Sequence, residues 1–212
     1  MISAGQALNY LQEGNHRFVS NINSLDAPTS RNQRAEMITD QRPFAVVLGC
    51  SDSRVPVELV FDQGFGDLFV IRVAGNVVAP SQIGSVEFAA ERFGTRLVVV
   101  LGHTRCGAIE ATLEHLQSSK HDLSPNLLSI VNRIRPSVEG LLSTELVHDR
   151  EALAREAVRA NVRVCANHLR HESKLLEDLI DRGDLLVVGT EYSLESGIVN
   201  FFDGLPESSV QQ

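Results

Sequence analysis

The sequence lacks any long hydrophobic run. Its apolar stretches reach only about five to seven residues, whereas a bilayer-spanning helix needs about 20. The first residues, Met1 to Gln6, also lack the cationic flank of a secretory signal. We therefore expect a soluble protein of the cytoplasm that does not bind membranes.

Cysteine is scarce, with 3 residues in a chain of 212. An odd number in a chain of this size argues against a disulfide framework. Reduced thiols then remain available for metal binding or catalysis, and a reducing compartment such as the cytoplasm suits them.

Positive charge is in the minority. The chain has 19 Lys+Arg against 27 Asp+Glu, a net charge of −8, and no run of like charges forms a basic arm. Nucleic acid and anionic membrane surfaces are therefore poor partners. The length fits one domain that can bury a core without disulfides, and we expect a single domain over residues 1–212.

Four compact apolar runs do not alternate with polar residues, a pattern typical of buried parallel strands. They lie at 44–48, 68–71, 97–101 and 185–188, and a further edge strand is predicted at 197–202. Helical patterns lie at 57–61, 81–93, 106–117, 126–142 and 149–172. This order predicts an α/β fold in which helices flank a mostly parallel sheet.

The N-terminal segment predicts an amphipathic helix. Ser3 and Gln6 form a capping-box pattern, and Ala4, Leu8 and Leu11 recur at helical spacing. We interpret residues 1–42 as a helical arm with a short helix at 34–39, residues 43–205 as the α/β core, and residues 206–212 as a disordered tail. The apolar stripe of the arm has little sheet of its own to cover, which favours a homo-oligomer.

Three potential metal ligands occur where predicted strands end. Cys50 follows the first run, His103 follows the third, and Cys106 opens the next helix. The carboxyl ends of parallel strands form the ligand crevice of open α/β sheets, so these residues are expected to converge. Two thiolates and one imidazole suit Zn²⁺ and leave a fourth position open, as in catalytic sites. The helix N-terminus favours the thiolate form of Cys106.

One ion pair is predicted next to this cluster, whereas the third cysteine and the other histidines are predicted to lie apart from it. Asp52 and Arg54 are spaced for a bidentate ion pair just beyond the sheet. Cys165 lies on one helical face with Val158, Val162 and Leu169, which predicts core packing. The remaining histidines have polar neighbours and are predicted to be surface residues: His16, His115, His121, His148, His168 and His171.

Two motifs carry a family resemblance. CSDSRV at 50–55 and GHTRCG at 102–107 resemble the two zinc signatures of the β-class carbonic anhydrases. ALNYLQEGNHRF at 7–18, GDLFVIRVAGNVV at 66–78 and the stretch 192–202 resemble other segments of that family. The resemblance covers nearly the whole chain and implies the family's fold.

The resemblance also implies roles for individual residues. It makes Cys50, His103 and Cys106 constant zinc ligands. Asp52 is either a fourth ligand or, when turned onto Arg54, the hydrogen-bond acceptor that orients the nucleophile on zinc. The substrate-binding residues that the resemblance implies are Gln41, Phe69, Phe88 and Gly107, with the two phenylalanines supplied by a partner subunit of a homodimer or homotetramer. At position 88 the plant-like members carry tyrosine.

The implied activity is the reversible hydration of CO₂ to bicarbonate and a proton. Zinc lowers the pKa of water bound to it, and the hydroxide so formed attacks a small electrophile. The same site could instead hydrolyse CS₂ or COS, or the chain could be a non-catalytic zinc module, although the presence of both Asp52 and Arg54 argues against the latter. A thiol-phosphatase loop is excluded because only three residues separate Cys50 from Arg54 and no glycine-rich cradle is present.

Overall fold

The computed structural model describes residues 2–22, 37–38, 40–118 and 123–206. Within them, five strands form one sheet of order β2-β1-β3-β4-β5. The first four strands are mutually parallel, and β5 pairs antiparallel with β4 at the edge. Their bounds are β1 Ala45–Gly49, β2 Leu68–Arg72, β3 Leu97–His103, β4 Leu186–Tyr192 and β5 Val199–Asp203. The predicted mostly parallel α/β fold is confirmed.

Seven α-helices lie within the described residues. They are α1 Ala4–Val19, α2 Val57–Val60, α3 Pro80–Phe93, α4 Gly107–Gln117, α5 Pro125–Val138, α6 Arg150–His171 and α7 Lys174–Asp181. Short 3₁₀ turns occur at Ala74–Asn76, Glu139–Ser143 and Glu145–His148. The first of these turns passes beside the carboxyl end of β1, and the other two connect α5 to α6.

Most predicted helices agree with the structure to within one residue at each end. The helix predicted to reach residue 142 ends at Val138, because the chain tightens there into a 3₁₀ turn. Helix α7 was not predicted, although the Ser173 side chain caps it by accepting from the Leu176 N–H. The helix predicted at 34–39 lies largely outside the described residues, and so does nearly all of the predicted disordered tail. No helix of the described part is long and apolar enough to span a membrane.

The sheet is covered on both faces, which explains why its strands are continuous apolar runs. One face packs against α1 and α2 through a cluster that includes Val47 and Val99. The opposite face packs against α3, α6 and α7 through a second cluster that includes Val46 and Val98. Strands β1 and β3 are buried along their whole length, so the residues that follow them begin from a rigid base.

The N-terminal helix corrects one expectation. The predicted capping box is confirmed, since the Ser3 and Gln6 side chains each accept from the other residue's backbone N–H. However, Leu8 and Leu11 on α1 are buried in the chain's own core beside the sheet. Asn15 further anchors α1 by donating to the Val60 carbonyl at 3.0 Å. The apolar stripe therefore covers the chain's own sheet beside α2, and it gives no reason to expect an oligomer.

Candidate metal centre

Three potential metal ligands converge at the carboxyl ends of β1 and β3. These strands are adjacent and parallel, so Cys50, which follows β1, lies near His103, the last residue of β3. Cys106 is the residue that immediately precedes α4, three positions after β3 ends. The ligand atoms of the three residues all lie within 4.8 Å of one another, and all three residues are buried. The structure thus brings together the three residues that the sequence predicts as ligands.

The imidazole of His103 is oriented for a metal. Its Nδ1 lies 2.9 Å from the Thr104 carbonyl oxygen, which assigns the proton to Nδ1. Its Nε2 is buried and has no hydrogen-bond partner among the described residues. An unpaired buried nitrogen is unfavourable unless a ligand or cation satisfies it. Two sulfurs and one imidazole nitrogen at this spacing fit a zinc ion.

The two thiols form a hydrogen-bonded pair, with their sulfurs 4.0 Å apart. The hydrogen bond from Cys106 lowers the pKa of Cys50 against the opposing effect of burial, and the Gly75 N–H assists at 3.3 Å. The Cys50 thiolate and burial raise the pKa of Cys106, outweighing the N–H groups of Ile109 and Ala108 at the helix start. The N–H groups at the start of α4 thus favour the Cys106 thiolate as predicted, while the neighbouring Cys50 sulfur opposes it.

Asp52 and Arg54 form the predicted bidentate ion pair. Arg54 donates from Nε to Asp52 Oδ1 at 2.9 Å and from Nη2 to Oδ2 at 2.7 Å. The Arg54 side chain, together with its backbone N–H, holds the pKa of the Asp52 carboxyl well below its ordinary value. Asp52 Oδ2 lies 3.8 Å from His103 Nε2. This geometry corresponds to the Arg54-paired position of the two that the resemblance allows for Asp52.

Further arginine contacts fix the two ligand-bearing segments. Arg72, at the end of β2, donates to the carbonyl oxygens of Cys50 at 3.0 Å and Asp52 at 2.6 Å. Arg54 Nη2 donates to the Arg105 carbonyl at 3.1 Å and so connects the two segments. Arg72 was not predicted from the sequence; its place at the end of a strand adjoining β1 is the signal that could have identified it.

A glutamate braces the turn between His103 and Cys106. Arg105 in this turn has φ +55°, in the left-handed region that side chains rarely adopt. Glu195, in the β4–β5 loop, accepts from Thr104 Oγ1 at 2.9 Å and from Arg105 Nε at 2.8 Å. Sequence reasoning missed Glu195 because no local pattern connects it to a turn some ninety positions earlier.

The other predicted substrate-binding residues lie elsewhere, except Gly107, which starts α4 beside Cys106. Gln41 precedes β1 whereas Cys50 follows it, so the two are at opposite ends of that strand. Gln41 and Phe88 line a cavity of about 720 Å³. The Phe69 and Phe88 ring centroids are 6.2 Å apart. The structure therefore groups these residues with one another and not around the chain's own Cys50.

The residues predicted to lie outside the site do so. Cys165 is buried in the core on α6, and burial raises its pKa to about 12. The five described histidines other than His103 are exposed or half-buried and belong to no metal-like cluster of the described residues. His121 lies outside the described residues.

The fold and the three-ligand cluster define a metal-dependent α/β enzyme. The family model for carbonic anhydrase matches residues 45–199. The carbonic anhydrase of Mycolicibacterium smegmatis is 38% identical over 89% of this chain and 88% of its own. Carbonic anhydrase 2 of Mycobacterium tuberculosis is 36% identical over 88% and 87%. The solved β-carbonic anhydrase CcaA superposes with a TM-score of 0.76 at 27% identity, covering 93% of this chain and 95% of its own.

This chain therefore belongs to the carbonic anhydrase family, and its fold is that of the β class. Members of that class are zinc enzymes, and the Cys50, His103 and Cys106 cluster is able to bind the metal. The family assignment supports a lyase that hydrates CO₂. The family assignment does not by itself establish the roles of individual residues, which are argued from the geometry of the site.

Proposed function

We propose that this chain catalyses the reversible hydration of CO₂ to bicarbonate and a proton, with zinc held by Cys50, His103 and Cys106. The observation that carries the proposal is the buried convergence of these three ligands next to an ion-paired carboxylate. When bound, zinc supplies a Lewis acid that makes a nucleophile from water near neutral pH. Residues of the chain must hold the metal and orient the attacking water.

Asp52 is proposed to orient the attacking water. Its Oδ2 lies 3.8 Å from His103 Nε2, so the carboxylate is close to the ligand atoms. Because its pKa is held low, Asp52 is ionised at neutral pH and acts as a hydrogen-bond acceptor. Arg54 holds both carboxylate oxygens, and the Arg105 carbonyl holds Arg54. These contacts keep the acceptor in one position.

A stopped-flow assay of CO₂ hydration, combined with zinc analysis of the same preparation, tests the proposal. We expect about one zinc per chain, since the described residues contain one Cys₂His cluster, and hydration that is lost when a chelator removes the metal. CS₂ and COS are assayed in parallel by sulfide release. Zinc-dependent sulfide release without CO₂ hydration would show the alternative substrate, and zinc without either activity would show a non-catalytic module.

We also propose that the chain assembles as a homodimer or as a homotetramer built from such dimers, in which Gln41, Phe69 and Phe88 line the partner's metal site. Phe88 is 52% exposed, and the cavity beside it is also lined by the exposed Phe65 and Ile38. Apolar side chains concentrated around one cavity favour an interface. The same residues lie at the end of β1 remote from the chain's own ligands, which is consistent with a role across the interface.

Phe88→Glu is expected to weaken the assembly and lower CO₂ hydration together. A carboxylate at this position would have to be desolvated in the interface. Light scattering and the hydration assay measure the two effects on the same sample. Leu127→Glu is the matched control, because Leu127 is similarly exposed at 53% but lies on α5, away from this cavity. A parent chain that is monomeric and fully active would contradict the proposal.

A cytoplasmic location is proposed on the chemistry of the thiols. The three cysteines are free and buried, and two of them must stay reduced to bind zinc. The Cys50 and Cys106 sulfurs are already close, so an oxidising compartment would favour their oxidation over metal binding.

A further inference from the structure

A backbone hydrogen bond to one metal-binding sulfur comes from an unusual turn. The Gly75 N–H donates to Cys50 Sγ at 3.3 Å. Gly75 lies in the 3₁₀ turn that follows β2 and has φ +70°. A Cβ at this position would lie 2.8 Å from Ile134 Cδ1 and 3.2 Å from Ala108 Cβ. The turn therefore requires glycine, both for its conformation and for its space.

Glycine alone does not hold this turn in place. It has the widest range of accessible φ and ψ values, so another group must fix the direction of its N–H. The next residue, Asn76, also has a positive φ of +44°, in the left-handed region that asparagine tolerates better than most residues. Holding two such residues in sequence has a conformational cost that the surrounding structure must offset.

The Asn76 N–H closes the turn by donating to the Val73 carbonyl at 3.0 Å, and Asn161 adds a side-chain contact from α6. Asn161 lies on α6, is 1% exposed, and donates from Nδ2 to the Gly75 carbonyl oxygen at 2.9 Å. Its Oδ1 lies 3.5 Å from Ser137 Oγ and 3.9 Å from Cys165 Sγ, so the whole amide group is engaged. A buried asparagine in the middle of a helix is unfavourable unless such partners satisfy it. Asn161 itself touches none of the three potential ligands in these contacts.

We propose that Asn161 is a positioning residue for the metal centre. By holding the Gly75 carbonyl, it keeps the Gly75 N–H directed at Cys50 Sγ. That hydrogen bond orients the thiolate and withdraws electron density from it, which tunes how strongly the sulfur donates to a bound metal. The inference rests on the proposed zinc centre and adds a residue of α6 to the part of the chain that controls it.

Asn161→Leu and Asn161→Asp test this role. Both remove the donor while keeping a side chain of similar size, and the aspartate also places a carboxylate oxygen against the Gly75 carbonyl. We expect zinc to dissociate about 10- to 100-fold faster into a chelating dye, because the Cys50 sulfur loses its fixed orientation; this is the range typical for loss of a partner of a metal ligand. In the cobalt-substituted protein, the thiolate-to-metal charge-transfer band should move to lower energy, because a sulfur without its N–H donor holds its electrons less tightly.

Two control variants separate this effect from a loss of stability. Leu169→Ala leaves a cavity in the same helix, in the core cluster on the α6 face of the sheet, and should lower stability without moving the cobalt band. Ser137→Ala removes a neighbour of Asn161 but leaves the bond to Gly75. Unchanged dissociation and an unchanged band in both Asn161 variants would overturn the proposal, as would an equal shift in Leu169→Ala.

A measurement on the parent chain covers the case in which neither Asn161 variant folds. In the ¹¹³Cd-substituted protein, the Gly75 amide proton should show a coupling to cadmium through the Cys50 sulfur, and its absence would overturn the proposal. If the parent chain binds no metal at all, the proposed function fails as well. If it binds metal but the variants match it, only the role of Asn161 fails.

Discussion

Cys106→Ala is expected to give a folded chain that retains almost no zinc. The substitution removes one of three potential ligands, and two protein ligands seldom hold zinc tightly. The Asp52 carboxylate is the closest further donor, but both its oxygens are engaged by Arg54. Metal analysis after dialysis, with circular dichroism to confirm folding, measures the result.

Cys165→Ala is the matched control for that prediction. It changes the same residue type at a buried position, but Cys165 lies in the core on α6 outside the cluster. This variant should keep the zinc content of the parent protein. Full zinc retention in Cys106→Ala would show that the cluster is not the metal site, and equal loss in both variants would point to a general loss of structure.

The centre of the candidate site could be predicted because its residues follow local patterns. Cys50 and His103 each come at the end of an apolar run, and runs of that kind are parallel strands whose carboxyl ends meet. The spacing of Asp52 and Arg54 already allows their ion pair within one loop. These inferences need only the positions of the strands in the sequence and the residues that directly follow them.

The supporting residues could not be predicted in the same way. Glu195 and Asn161 contact their partners from ninety and eighty-six positions away, and no periodicity encodes such contacts. The apolar stripe of α1 was recognised, but the pattern does not say which surface it covers. In the structure, Leu8 and Leu11 pack on the chain's own sheet.

The pKa of Cys106 also depends on a residue that is distant in the sequence. Its place at the start of α4 was correctly predicted and does supply N–H groups that favour the thiolate. The opposing effect comes from Cys50, fifty-six positions earlier, through a hydrogen bond that exists only in the folded chain. A local rule therefore identifies one of the two opposing contributions to the pKa of Cys106 and not the other.

Arg54→Ala is expected to leave zinc in place while lowering CO₂ hydration by roughly 10²-fold or more, the scale of a lost positioned acid–base group. The variant loses both bonds that hold Asp52 and the bond to the Arg105 carbonyl. The pKa of Asp52 should rise toward its ordinary value, which still leaves the carboxyl ionised at neutral pH. Activity is therefore lost through the position of the carboxylate and not through its protonation.

The loss of CO₂ hydration in Arg54→Ala should therefore be the same at every pH at which Asp52 is ionised, and this is the measurement that checks the prediction. Hydration is measured at neutral and at alkaline pH, with zinc content determined at each. Arg54→Lys should also lose activity, because an ammonium is a point charge that cannot span both carboxylate oxygens. Arg150→Ala, which removes an exposed ion pair with Glu114, should match the parent protein. An Arg54→Ala variant that regains parental activity at alkaline pH would show that Arg54 does not act by fixing the orientation of the Asp52 carboxylate.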